Sequence, residues 1–299
     1  MKEEAVERAA RDRRALEAPV EEGLTSRGTT ERFRKIIYRY YRDEGRSLPW
    51  RETDDPYRIV VSEFMLQQTQ VERVKGKYEG FLDVFPDWHS LAEAALPDVL
   101  TLWQGLGYNR RALSLHRAAK HVVGDWGGRL PGEADLLQAL PGVGAATAGA
   151  VAAFAFNRPA VFLETNIRRV FIHFFFPSRF RITDGEILPL VDQTLDRERP
   201  RRWYYALMDY GAMLKKIVAN PNRRSAHYQR QSPFEGSNRQ VRSRALRILL
   251  AGPGMTEGEL LGKLSVERGR AKKVVDALRR EGFLEDRRGI IRVAGKVAR

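Results

Sequence analysis

The sequence predicts a mainly α-helical protein of two lobes, followed by a small module of helices and a two-strand wing. Three observations carry this. Apolar residues recur at the helical period from Thr30 onward, as in Phe33, Ile36, Ile37, Tyr40 and Tyr41. An apolar helix ending in Leu140 runs into Pro141-Gly142-Val143-Gly144, and an Ala-rich, small-faced helix, Ala145 to Phe156, begins at once. The last sixty residues pattern separately, as helical segments and then a strand-like stretch from Phe283 to Val293.

Composition bounds the function. A chain of 299 residues with 43% hydrophobic residues can bury one large core or two smaller ones. The formal net charge of +14 favours a polyanionic partner, nucleic acid ahead of an acidic membrane surface. No apolar run approaches the roughly 18 residues of a membrane span, and no signal-peptide core follows Met1. A soluble cytoplasmic monomer, nucleoid-associated if bacterial, is expected. The absence of cysteine excludes disulfides and Cys-ligated zinc or iron–sulfur sites.

Residues 1–29 are charged and read as a frayed helix or tail. Thr30 caps a helix that ends near Gly45, and Arg46–Arg51 is a loop. The next helix, Tyr57 to Gln70, carries Glu63 among mostly apolar neighbours. Such a carboxyl either sits in a desolvated site, where burial raises its pKa and lets it hold a proton, or is an ordinary solvated helix residue. Lys75–Phe85, His89–Ala95 and Pro97–Gln104 read as helices, and Gly105–Arg110 as a tight turn. Tyr108 in that turn is either a stacking wedge or a core aromatic. A basic amphipathic helix, Arg111–Trp126, precedes Leu136–Leu140.

The amides of Gly142, Val143 and Gly144 face out of a helix N-terminus, an anion site for which DNA phosphate is the obvious ligand. An ordinary tight turn is the plainer alternative. Within the aromatic run Phe171–Phe176, His173 reads as a packed core residue. Helices follow at Leu188–Asp196 and Trp203–Met213. Residues 215–247 hold nine Lys/Arg and one Glu, as expected of a DNA-facing loop and linker whose binding weakens with salt. Arg242–Ala251, Thr256–Leu264 and Val266–Gly282 read as helices, and the wing follows. This pattern resembles a winged helix-turn-helix, with Arg268, Arg270, Lys272 and Lys273 at its groove- or phosphate-facing end, or else a protein-docking module.

Leu140-Pro-Gly-Val-Gly-Ala-Ala-Thr-Ala148 resembles the helix-hairpin-helix of the DNA glycosylases related to endonuclease III and MutY. The likeness extends through Leu48-Pro-Trp-Arg51, Pro56-Tyr57, Ser62-Glu-Phe-Met-Leu-Gln-Gln-Thr-Gln-Val71, Leu102-Trp-Gln-Gly-Leu-Gly-Tyr108, Leu163-Glu-Thr-Asn-Ile-Arg-Arg-Val170 and Met208-Asp-Tyr-Gly-Ala-Met213, in MutY order. It implies a glycosylase core over residues 30–235, with one lobe from 55–165 and a second from 30–54 and 166–235. The winged helix would be 236–299.

The resemblance also implies roles. Glu63 becomes the general acid/base, and Gln67, Gln68 and Gln70 reach into the duplex to fill the hole left by an extruded base. Glu164, where the family has Asp, stabilises the cationic sugar or contacts the attacking water, and Asn166 fixes that carboxylate or a sugar phosphate. Arg168, Arg223 and Arg224 are candidate phosphate contacts. Ala146 stands where bifunctional relatives carry a Schiff-base lysine, so hydrolysis without strand cleavage is expected.

Relatives hold a [4Fe–4S] cluster after the Gly-Ala-Met segment; this chain must hold that loop by packing, with Tyr228 and Phe234 as candidates. No cofactor is expected, and the hairpin carbonyls leave room for a monovalent cation. MutY carries a Nudix-like domain for oxidised guanine, too large for the last sixty residues. The partner implied is double-stranded DNA with a mispaired or damaged base. Excision of adenine from a mispair is favoured; mispaired thymine, uracil or a lesion is the alternative. Rival readings are a catalytically silent DNA-structure binder and a transcription regulator.

Overall fold

The computed structural model describes residues 2–16 and 25–295, without the side chain of Lys2. In chain order its elements are α1 (Lys2–Arg14), α2 (Arg27–Glu44), α3 (Pro56–Leu66), α4 (Val71–Val84), α5 (Trp88–Glu93), α6 (Leu96–Trp103), α7 (Arg110–Trp126), α8 (Ala134–Leu137), α9 (Ala145–Phe156), α10 (Thr165–Phe175), α11 (Asp184–Thr194), α12 (Pro200–Ile217), α13 (Asn238–Ala251), β1 (Met255–Thr256), α14 (Glu257–Lys263), α15 (Arg268–Glu281), β2 (Leu284–Arg287) and β3 (Ile290–Val293). They group into two units. One comprises Met1–Ile59, Gly132–Ala139 and Val143–Arg230; the other Val60–Pro131, Leu140–Gly142 and Gln231–Arg299. Among the described residues no helix is long and apolar enough to cross a membrane.

The core of the first unit is aromatic. Phe33 of α2 makes edge contacts with Phe171, Phe174 and Phe175 of α10 at 5.0 to 5.5 Å, and with Trp203 of α12. The aromatic run is therefore the buried face of α10, packed between α2 and α12. His173 belongs to that core; burial pushes its pKa down to about 4. The helix expected from Thr30 starts at Arg27 instead, because Ser26 is the cap and accepts the Thr29 amide.

The N-terminal segment takes the helical alternative of the expected frayed helix or tail, and that helix is docked. Residues 2–14 form α1, which docks through buried Ala9 and through Asp12, only 3% exposed. Asp12 accepts from Arg39 of α2 at 2.6 Å and from the Tyr210 hydroxyl of α12 at 3.1 Å. A few well-placed residues anchor a helix whose composition is otherwise that of a solvated chain. Residues 17–24 of the expected tail lie outside the described residues.

The second unit begins in α3. Trp103 and Phe81 are fully buried there, and α7 packs on α5 and α6. The C-terminal segment belongs to this unit: α13, α14 and α15 precede the antiparallel wing β2–β3, and β1 adds to its other edge to give the order β1-β3-β2. Thr256 caps α14 through a reciprocal capping box with Glu259. Glu281, ending α15, accepts from Arg110 of α7 and Arg242 of α13 at 2.5 to 2.9 Å. Burial pushes its carboxyl up, but the two guanidiniums outweigh that and hold it at about 2.

The units differ from the expected lobes. Gly132–Ala139 and everything from Val143 to Arg230 lie in the first unit, because α9 packs on α8 and α12. Residues 231–299 group with Val60–Pro131 rather than standing apart.

Candidate functional site

The first unit builds a carboxylate turn at the start of α10. Glu164 is the N-cap: its Oε1 accepts from the amides of Asn166 at 2.7 Å and Ile167 at 2.8 Å, and its Oε2 accepts from Asn166 Nδ2 at 3.2 Å. A glutamate cap is uncommon; the extra methylene lets the chain fold back over its own helix. Glu164 is half-buried, and desolvation raises its pKa, while the two amides and the charges of Arg169 and Arg168 pull the other way.

Behind it, buried Arg169 donates to Asn166 Oδ1 and to the Gly211 carbonyl, both at 2.7 Å, and to Asn220 Oδ1 at 3.2 Å. Glycine at 211 is a steric necessity: a Cβ there would lie 2.3 Å from the Asn166 carbonyl oxygen. The adjacent Asp209, 2% exposed, takes a bidentate pair from Arg51 at 2.8 and 2.9 Å. Three separated sequence motifs thus converge on one turn.

The second unit builds a pair of turns around one arginine. Helix α3 stops at Leu66, so Gln67, Gln68 and Gln70 stand on a turn beyond it rather than on the expected helix to Gln70. Buried Arg111 is the reason. Its Nη1 donates to the carbonyls of Phe64, Met65 and Gln67, and its Nη2 to Thr69 Oγ1 and the carbonyls of Leu106 and Gly107, all between 2.5 and 3.2 Å. One guanidinium thereby ends α3 and ties the glutamine turn to the Gly105–Tyr108 turn. Burial pulls its pKa down to about 10, which leaves it charged at neutral pH.

Both turns carry a left-handed non-glycine residue, Gln68 at φ 54° and Tyr108 at φ 48°. Such backbone strain persists where the surroundings over-determine it. Tyr108 is half-buried, with the guanidiniums of Arg111 and Arg239 at 5.4 and 5.5 Å from its ring centre. Gln67 Nε2 lies 3.5 Å from the Gly142 carbonyl. Glu63, half-buried on α3, stands between fully buried Ser62 and Phe64.

The hairpin glycines stand where the sequence puts them, but the helix before them, α8, ends at Leu137 rather than at the expected Leu140. Gly142 has φ +81°, and a Cβ there would meet Ser114 Cβ at 2.6 Å. Gly144 caps α9, which runs over the expected Ala145–Phe156, with nothing within 4 Å of where a Cβ would stand. Val143 between them is buried.

Several expected phosphate contacts are instead spent inside the protein. Arg168 makes a bidentate pair with Asp184 at 2.7 Å. Arg224 donates to the carbonyls of Ile172, Phe176 and Pro177. Arg270 is held by Asn238 Oδ1 and the Gly236 carbonyl, and Lys272 by Glu257 and Asp276. Arg223 and Lys273 are exposed.

The loop after Met213 is fixed by Arg224, by the Ile182–Ser225 bridge and by Asn222 donating to the Thr165 carbonyl at 2.9 Å. Tyr228 and Phe234, the expected packing residues, are 41% and 48% exposed. This loop offers no thiolate to an iron–sulfur cluster, so the donor set does not fit one. Among the described residues no group of three or more His, Asp or Glu is placed to hold a metal ion. Composition alone could not separate Arg111 and Arg169, which organise the two turns, from the many other basic residues; the fold separates them by burial.

A helical fold with a G-V-G hairpin, a capped carboxylate turn and a glutamine turn defines a class. The model of the HhH-GPD superfamily of base excision DNA repair proteins matches residues 61–188, and the chain belongs to that superfamily. Similar curated proteins include several adenine DNA glycosylases. That of Mycobacterium tuberculosis is 35% identical over 238 residues, 71% of this chain and 76% of the relative. Those of Buchnera aphidicola and Homo sapiens are 36% and 37% identical over 64% of this chain, which spans 55% and 36% of their lengths. Among solved structures, a thermostable thymine-DNA glycosylase aligns with TM-score 0.56 at 26% identity, over 61% of this chain and 86% of that one. A non-covalent endonuclease III–DNA complex aligns with TM-score 0.51 at 17% identity, over 71% and 91%, and shows the fold alone.

Proposed function

We propose that this protein is a monofunctional DNA N-glycosylase that extrudes a mispaired base, adenine first, and hydrolyses its glycosidic bond. The observation that carries the reading is the Glu164 turn: a carboxylate fixed by three N–H donors in a chain whose curated relatives are adenine glycosylases. Extrusion is required because the sugar C1′ is inaccessible in the stack. Gln67, Gln68, Gln70 and Tyr108, on turns held by Arg111, fill the vacated space, and the Gly142–Gly144 amides take a phosphate.

Glu63 gives a proton to the departing base, the C1′–N bond breaks with its electron pair going to the base, and water adds to C1′ as its proton passes to the Glu63 carboxylate. Glu164 stabilises the positive charge that develops on the sugar, with Asn166 holding it in place. Ala146 offers no amine for a Schiff base, so the product is an abasic site in an unbroken strand.

The test is single-turnover cleavage of labelled duplexes carrying each mispair and common lesions, with and without hot alkali. Strand breaks only after alkali, on adenine mispairs, and lost in Glu63→Gln, are expected. Tight binding without cleavage of any duplex would leave a DNA-structure binder in its place.

A further inference from the structure

The second unit contains a cleft of about 1150 Å³. One wall is formed by the Gln67–Gln70 and Gly105–Arg111 turns. The other is one face of α13, on which Asn238, Arg239, Arg242, Ser243, Arg247 and Leu250 recur at helical spacing. The opposite face of α13, with Val241, Ala245 and Leu249, is buried in the C-terminal module. Among the described residues no aspartate or glutamate lines the cleft.

Its arginines divide by what they bond. Arg110 and Arg242 are spent on Glu281. Arg239 donates to the Tyr108 hydroxyl at 2.7 Å and to the Ser232 carbonyl at 2.5 Å, so it is built into the wall and sets the tyrosine. Arg73 and Arg247 are exposed and, among the described residues, make no side-chain hydrogen bond or ion pair. At the basic start of α15, the helix a winged module is expected to present, Arg270 and Lys272 are bonded within the module, while Arg268 and Lys273 are exposed.

We propose that the C-terminal module engages DNA through α13. In this arrangement α13 and the two turns hold one DNA strand between them, Arg73 and Arg247 meet its phosphates, and Arg239 is a positioning residue for Tyr108. The inference rests on the glycosylase reading only for its choice of DNA. An acid-free wall with two uncommitted guanidiniums suits a phosphate backbone, and the amide and hydroxyl groups around it suit base edges.

The full chain would be titrated by fluorescence anisotropy with a duplex holding an adenine–guanine mispair, the adenosine made unreactive by a 2′-fluoro sugar, at several salt concentrations. Arg73→Ala and Arg247→Ala are each expected to weaken binding several-fold and to lower the salt slope by about one; Arg247→Lys should retain the slope. Unchanged slopes in both alanine variants, or the same loss in Arg247→Lys, overturn the proposal and leave the cleft to an acidic protein segment.

For Arg239, excision rates opposite guanine, 8-oxoguanine, cytosine and thymine are compared. Arg239→Leu should shrink the preference among opposite bases about tenfold, and combining it with Tyr108→Phe should add nothing further. Additive effects overturn the positioning role. Should the wild type excise nothing, the glycosylase reading fails while the salt slopes still judge the cleft.

Discussion

At the start of α10, Glu164, Asn166 and Arg169 are bonded to one another, and the turn is closed. Around Arg111 the bonding is just as dense, but it serves two turns with left-handed residues that stand beside an open cleft. The first arrangement fixes a charge, the one the proposed reaction calls for. The second fixes a backbone so that exposed side chains can be offered to a partner. Buried arginines do the fixing in both, which teaches that in a chain of net charge +14 the arginines that organise the site are those already spent.

The largest effect expected from breaking this contrast is at the closed turn. Glu164→Gln keeps the cap but removes the charge, and single-turnover excision should fall about 100- to 1,000-fold while duplex binding holds. Because burial raises the carboxyl pKa above its usual 4.5, and the reaction needs the ionised form, the wild-type rate should begin to drop, as pH falls, at a higher pH than for an exposed glutamate. The residual activity of Glu164→Gln should lack that acid limb.

Next comes the keystone of the open region. Arg111→Met leaves six acceptors without their donor, a loss of about 3–4 kcal/mol visible as a clearly lower midpoint in thermal or urea unfolding. An unchanged midpoint would mean that water replaces the guanidinium.

A smaller effect is expected at Glu281, which is partly exposed. Glu281→Gln should cost about 1–2 kcal/mol, between the values for surface and buried pairs. Its carboxyl is held at about 2, below the ordinary 4.5. The wild-type advantage is therefore complete above pH 4.5 and vanishes as pH falls from there toward 2, which paired pH-dependent melts would follow. Smallest of all, Arg168→Ala and Lys272→Ala should leave the salt dependence of DNA binding unchanged, since their charges are already paired. A reduced slope in either would reopen its assignment as a phosphate contact.

The sequence by itself determined the helical class, the extent of α9, the hairpin glycines, the wing strands and the pairing of Glu164 with Asn166. These follow from period, turn chemistry and neighbours two residues apart, which chain connectivity brings together whatever the rest of the molecule does. Only the tertiary structure decided which cations are free. Arg168 and Asp184 are sixteen residues apart, Arg270 and Asn238 thirty-two, and Arg111 meets the end of α3 across more than forty. The docking of α1 was hidden for the same reason: Asp12 finds Tyr210 a full 198 residues away. A charged residue looks the same in sequence whether it faces water, phosphate or a buried carbonyl. Its environment is set by long-range packing, and that packing docked a segment expected to fray and turned several expected DNA contacts into internal ties.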